Sequence, residues 1–320
     1  MAMPSTLHRR TGALLLAVCL SAGAAAQAGA EEVPGPLAET EIAPGVHVHT
    51  GAVEDWSPSN GGDVANLGFV VGSRCVAVID TGGTPALGTR WRAAIERVTR
   101  LPICFVFDTH AHPDHVLGNA AFAGPDTRFV ASAKFNAAMA AREPYYLRAL
   151  ERDFGISVAH DALVYPTIAV DGMQEFDLGD RVLVAQSWPT AHTDNDLTVY
   201  DRSTRTLFAS DLLFVQHIPV VDGKLRGWLR ALPQLAQTDA ARVVPGHGPT
   251  RNADEADAWK AQQEYLETLL RETRAALKSG QTLSQAVASV GVEAASRWQL
   301  AERFHRRNVT AAYAELEWED

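Results

Sequence analysis

The chain has 320 residues, 47% hydrophobic and 21% charged, a composition that excludes a disordered chain and a many-span membrane protein. Lys and Arg total 28 against 38 Asp and Glu, a formal net charge of -10, which argues against the clustered basic face that nucleic acid or an anionic membrane requires. With 24 Gly, 16 Pro and 8% aromatics there is no collagen-like or low-complexity signature, and no repeat recurs at a period of about 20 to 50 residues.

Residues 1–30 have the layout of a cleaved secretory signal: Arg9 and Arg10 without an acid, an apolar run at 13–20, and small residues at 22–30 before Glu31. Candidate A-x-A cleavage sites follow Ala26, Ala28 and Ala30. The apolar run falls far short of the roughly 20 residues that span a bilayer, and no later segment reaches that length uncharged, so no transmembrane span is expected in the mature chain. The expected location is the periplasm or the outside of the cell. Residues 31–320 contain no linker and read as a single domain with a helical C-terminal part at 253–320.

After a loose lead-in at 31–40, residues 45–51 alternate as a strand would. Residues 64–71 and 75–80 are two apolar runs separated by Gly72-Ser73-Arg74, a predicted hairpin ending at Asp80. Residues 84–100 have a helical pattern, and after Pro102 a further apolar strand, 103–107, ends at Asp108-Thr109-His110. That order is an α/β signature, in which chemistry collects beyond the carboxyl ends of the strands. Residues 131–155 are helix-prone, with Pro144-Tyr145-Tyr146 interrupting. Strands are predicted at 181–187, 197–200, 206–209 and 241–245, a long amphipathic helix at 253–279, and further helices near 282–290 and 295–315.

The chemistry is concentrated in His110-Ala111-His112-Pro113-Asp114-His115. Four metal-ligand side chains in six positions, directly after an apolar strand, are hard to explain as surface decoration. Imidazole and carboxylate are the natural ligands for a first-row divalent metal where no thiolate is offered. His110 and His112 share one side of an extended segment, while Asp114 and His115 open a helical stretch that turns them elsewhere, which suits two adjacent metals better than one. His192, Asp211 and His247 complete the count, each after an apolar run and in a turn-rich context. No G-x-S-x-G elbow, phosphate-binding glycine loop or G-x-G-x-x-G follows a strand, so serine hydrolysis and dinucleotide chemistry lose their supports.

At these residues the chain resembles the metallo-β-lactamase superfamily, whose H-x-H-x-D-H motif and later His, Asp and His match in order and spacing over 40–250. The resemblance implies an α/β chain folded as a four-layer αβ/βα sandwich, with additional C-terminal helices and a two-metal site at the edge of its sheets. His110, His112 and His192 would hold one zinc, Asp114, His115 and His247 a second, and Asp211 would bridge them. Asp80 matches an outer position that holds a ligand imidazole in its tautomer. Asp211, where the commonest zinc β-lactamases carry Cys, lowers the expectation of antibiotic hydrolysis. The stretches 60–69, 112–120, 192–197 and 211–214 are similar to exported quinoprotein relay system zinc metallohydrolases, related to sulfur-oxidation hydrolases and linked to PQQ-dependent dehydrogenase systems.

The ligands imply two Zn2+, with iron or manganese as alternatives, ionising a shared water that attacks an ester, thioester, lactone or amide carbonyl of a small molecule. Asp114 or a metal-bound water would protonate the leaving group. Two competing readings are a mononuclear iron-dependent oxidoreductase on the same fold and a non-catalytic, metal-bound partner of a quinoprotein. Trp56, the turn at 57–62, Tyr145-Tyr146 and residues 217–224 are candidate substrate contacts without an assigned role. His47 and His49 are expected as a surface pair on an edge strand, and Trp228, Trp259 and Trp298 as packing residues. Cys75 and Cys104 lie in apolar runs and are read as buried small hydrophobes in preference to a disulfide.

Overall fold

A computed structural model describes residues 1–2, 35–159, 163–252, 255 and 257–319. The signal reading, with Arg9, Arg10 and Cys19, lies outside the described residues. The 35–320 unit is built on two sheets. The first has seven strands in chain order: β1 (Thr40–Ala43), β2 (Val46–His49), β3 (Leu67–Val71), β4 (Val76–Ile79), β5 (Ile103–Phe107), β6 (Arg128–Ser132) and β7 (Ile168–Val170). Its first four strands are antiparallel, and β4 to β7 run parallel. The second sheet has six strands: β8 (Met173–Asp177), β9 (Val182–Ser187), β10 (Leu197–Asp201), β11 (Thr206–Phe214), β12 (Arg242–His247) and β13 (Arg251–Asn252).

Apolar residues of both sheets, among them Val46, Ala77, Phe107, Leu183, Val199 and Phe208, form the core between them. The outer face of the first sheet is covered by α1 (Pro85–Val98), which buries Leu87, Trp91, Ala94 and Ile95 and is capped by Thr84 accepting from the Leu87 N–H. The outer face of the second is covered by α4 (Leu225–Ala236), α5 (Asp257–Lys278) and α8 (Ala301–Leu316), over a core that includes Trp228, Tyr265 and Leu269. The order helix, sheet, sheet, helix is the expected four-layer sandwich with added C-terminal helices. The short helix α6 (Leu283–Ser289) stands where one was expected near 282–290, whereas the helix expected near 295–315 is divided into a one-turn α7 (Val292–Ala295) and α8. Trp228 is buried, and Trp259 and Trp298 pack against the same cluster.

Three expectations are corrected. Cys75 and Cys104 form a disulfide, their Cα atoms 5.8 Å apart on the adjacent parallel strands β4 and β5. His47 and His49 are neither on an edge nor on the surface. β1 covers β2, both imidazoles are buried, His47 stacks on Phe69 and meets Glu39, and His49 meets Asp63. Pro144 does not interrupt its helix: α3 (Phe135–Phe154) runs through it, while 131–132 belong to β6. Pro144 and Ala140 both lie on the exposed face, where water can satisfy the carbonyl that the missing N–H leaves free.

One buried ion pair ties the sheets together. The Arg181 guanidinium donates to both Asp201 oxygens, at 3.0 and 2.7 Å, and to the Val71 carbonyl across the core at 3.0 Å. Burial alone would raise the Asp201 carboxyl, but the bonds from Arg181 and Thr204 hold it below the ordinary carboxylate range. A depressed folded value contributes stability above the unfolded value of about 3.9 and loses it as pH falls through the lower folded one. Arg181→Ala leaves a buried carboxylate unpaired and is expected to cost about 3–5 kcal/mol, read as a lower denaturant midpoint at neutral pH. The deficit should shrink in acid.

Candidate metal centre

The site forms where four strands end or bend. Asp80 follows β4, His110 follows β5, and the loop after it enters the four-residue helix α2 (Pro113–Val116), which carries Asp114 and His115 with His112 at its N-cap. His192 sits in the loop between β9 and β10, Asp211 lies within β11, and His247 ends β12. β4 and β5 are parallel neighbours, as are β11 and β12, so each sheet delivers two carboxyl-terminal ends to one edge.

The seven side chains converge in two groups. His110, His112, His192 and Asp211 form one, and Asp114, His115 and His247 the other, the ligand atoms of each group lying within 4.8 Å of one another. In the first, His112 Nδ1 is 3.0 Å from His110 Nε2 and 3.1 Å from His192 Nε2. In the second, Asp114 Oδ2 lies 3.6 Å from His115 Nε2 and 3.4 Å from His247 Nε2. Asp211 faces both: its Oδ2 is 3.3 Å from His192 Nε2 and 3.7 Å from His110 Nε2, and its Oδ1 is 3.2 Å from His115 Nε2 and 3.4 Å from His247 Nε2. The structure brings together all seven side chains that the resemblance pointed to, Asp211 standing in the first group and facing the second.

Every imidazole is held from behind. His115 Nδ1 bonds Asp80 Oδ2 at 2.8 Å, His192 Nδ1 bonds the Val220 carbonyl at 2.6 Å, and His247 Nδ1 bonds the Val64 carbonyl at 2.9 Å. His110 Nδ1 meets Thr109 Oγ1 at 3.1 Å, and His112 is reversed, its Nε2 bonding Asp222 Oδ2 at 3.1 Å. With the outer nitrogens donating, the inner ones present lone pairs to a common point, an arrangement that repels unless a cation lies between them. Asp211 Oδ1 and His115 Nε2 are buried without a hydrogen-bond partner, which costs stability unless a metal satisfies them. Burial alone would raise the Asp211 carboxyl, while positive charge on the surrounding His247, His115, His110 and His192 pulls it well below the carboxylate range. The donor set and its orphaned atoms fit two divalent metals.

The outer residues carry the backbone distortions. Asp80, at φ 58°, takes the N–H and hydroxyl of Thr109 as well as His115, and Thr109 Oγ1 also meets Ser210 Oγ at 2.7 Å. Ser210, at φ 47°, turns β11 where Asp211 must point inward. Non-glycine residues in this region cost on the order of 1–3 kcal/mol each and persist where their surroundings hold them. Asp80→Ala removes the anchor of His115 and is expected to weaken metal affinity by about 10–100-fold, measured by chelator competition.

Several positioning residues carried no assignment from the sequence. Asn66 Nδ2 donates to the Pro245 and Gly248 carbonyls at 2.8 and 2.7 Å, fixing the loop that bears His247. Asn195 Oδ1 accepts from the Ala111 N–H at 2.8 Å inside the ligand loop. Their only signal was polarity beside a strand end. Of the candidate substrate contacts, Trp56 packs at a tilt against Phe154 and donates to the Gly83 carbonyl, and Tyr146 donates to the Ala111 carbonyl. The 217–224 stretch supplies Val220 and Asp222 behind the ligands, and His217 packs against His247.

The family model described as "Metallo-beta-lactamase superfamily" matches residues 60–247. The fold is similar to that of the inverting sec-alkylsulfatase Pisa1 from Pseudomonas sp., at 13% identity and TM-score 0.67, over 88% of this chain and 50% of that one. The chain thus spans about half of the sulfatase. It is also similar to the metallo-beta-lactamase from Pontibacter korlensis, at 20% identity and TM-score 0.58, over 71% of this chain and 99% of that one. A metallo beta lactamase from Hirschia baltica gives 18% identity and TM-score 0.55 over 72% and 97%. No curated protein matches the sequence.

Proposed function

The chain belongs to the metallo-beta-lactamase superfamily, and on that premise we propose that it is an exported dinuclear zinc hydrolase acting on an ester, thioester, lactone or amide carbonyl of a small molecule. The observation that carries this reading is Asp211, one carboxylate oxygen directed into each ligand group, with Oδ1 buried and unpartnered. His110, His112 and His192 would hold one cation, Asp114, His115 and His247 the other, and Asp211 both. Two such cations supply a water ionised near neutral pH and polarise the carbonyl under attack. The protein's own part is orientation: the five anchored imidazoles fix the ligand atoms, and α2 presents Asp114, partly exposed, toward the opening, where it can return a proton to the leaving group.

Export is supported by the signal layout of residues 1–30 and by the Cys75–Cys104 disulfide, a bond that oxidising compartments favour. Among the described residues no helix is long and apolar enough to cross a membrane. The similarity of 60–69, 112–120, 192–197 and 211–214 to quinoprotein relay hydrolases supports association with a PQQ-dependent dehydrogenase system. Metal analysis of the purified protein, with a panel of 4-nitrophenyl esters, thioesters, lactones, nitrocefin and 4-nitrophenyl sulfate, tests the reading. Two zinc equivalents per chain are expected, with turnover of one carbonyl class that chelator abolishes and zinc restores. A single iron, or two bound metals without turnover of any probe, overturns it in favour of the oxidoreductase or the non-catalytic partner.

A further inference from the structure

The metal centre opens on one side. His110, His115, His192, Asp211 and His247 have side chains at most 5% exposed, whereas His112, Asp114 and Asp222 are 18, 15 and 31% exposed. Those three lie on the open side, and one of them, Asp222, is bonded to a cation, Arg142, itself 29% exposed. Arg142 lies on α3 one turn before Tyr146, on the same face, and Tyr146 is buried with its hydroxyl donating to the Ala111 carbonyl at 2.7 Å. The helix is therefore docked on the ligand loop, and the guanidinium is presented from a fixed platform. Its Nη2 donates to Asp222 Oδ2 at 3.0 Å and its Nη1 makes a long bond to the Ala138 carbonyl at 3.4 Å. The remaining donors of its five N–H groups meet no acceptor among the described residues.

A planar donor fork with spare hydrogens at the mouth of a hydrolytic centre matches an oxyanion group, which it can bind bidentately. Asp222 orients that fork, since its Oδ2 also holds His112 Nε2 and so sets the guanidinium at a defined place beside the first ligand group. We propose, resting on the hydrolase reading above, that Arg142 anchors a carboxylate or sulfate group remote from the scissile bond, so that the natural substrate is anionic. Binding energy from such a group serves to align the reacting carbonyl over the ligand cluster.

The test uses the zinc-loaded full chain and two probes differing in charge, 4-nitrophenyl acetate and mono-4-nitrophenyl glutarate, with calorimetric titration of glutarate and of sulfate beside them. Arg142→Gln is expected to raise KM for the glutarate ester by about tenfold or more, the scale of one charge-assisted hydrogen bond. It should leave kcat, the acetate kinetics and the zinc content within twofold, and it should abolish the heat of glutarate or sulfate binding, whichever the wild type shows. Arg142→Lys should recover part of the affinity. An equal loss on both esters, a loss of zinc, or unchanged anion binding overturns the proposal, the first two outcomes reducing Arg142 to a support for Asp222 and His112. Should the wild type hydrolyse neither ester, esters are not its carbonyl class, and the hydrolase reading stands or falls on the wider probe panel. The titration then decides for Arg142 if the Gln variant loses anion binding, and against it if the wild type binds neither anion.

Discussion

Asp211→Asn is expected to lower turnover by roughly a thousandfold, within the several kcal/mol that cation-polarised hydrolysis carries, and to reduce bound metal from the two equivalents proposed above to one or none. The amide keeps the shape of the side chain, so packing against β12 is preserved. What changes is charge and lone pairs. The carboxylate offers one oxygen to His115 and His247 and the other to His192 and His110, and the amide replaces one of those oxygens with a donor that no cation accepts. Metal content by mass spectrometry and near-UV circular dichroism check the result together. A variant with wild-type metal content and turnover would remove Asp211 from its proposed bridging place.

Gly246→Ala is expected to do comparable damage without touching a ligand. A Cβ built on Gly246 would stand 1.8 Å from Asp211 Oδ1 and 2.7 Å from the Asp211 nitrogen, so either the carboxylate leaves its place or β12 moves away from β11. The backbone there needs no unusual φ. The demand is for space, because the backbone of β12 lies against the Asp211 carboxylate and the Ser210–Asp211 backbone, leaving no room for a Cβ. Destabilisation of about 4 kcal/mol or more is expected, the range of a buried clash that cannot relax, and on the order of 10 °C in Tm for a domain of this size. Unfolding measured in chelator separates the backbone clash from lost metal. An Ala variant with unchanged Tm and metal content would show that β11 and β12 can part at no cost.

The site was legible to different depths. The H-x-H-x-D-H stretch declares itself because four of its ligands are close in sequence and a strand precedes them, so little chain entropy stands between motif and cluster. His192, Asp211 and His247 were legible by order and context. Asp222 and Arg142 were not: one lies 110 residues from its imidazole partner and the other 80 residues from Asp222, and each reads as an ordinary charge on a loop or a helix. The cysteines failed for the same reason. Nothing in 75 and 104 says that their strands are parallel neighbours, and a disulfide requires that approach.

The amino-acid order by itself determined the element sequence of most of the 45–316 span, the α/β class and which side chains can hold metal, because hydrophobic periodicity and ligand chemistry are local properties of the chain. Only the tertiary structure decided that β1 covers His47 and His49, that Pro144 sits on a wetted face and can stay helical, and that Asp80 and Ser210 adopt left-handed conformations. It also decided which imidazole nitrogen turns inward. These outcomes depend on what packs behind each residue, and that partner comes from another sheet or helix whose distance along the chain carries no signal of its nearness in space.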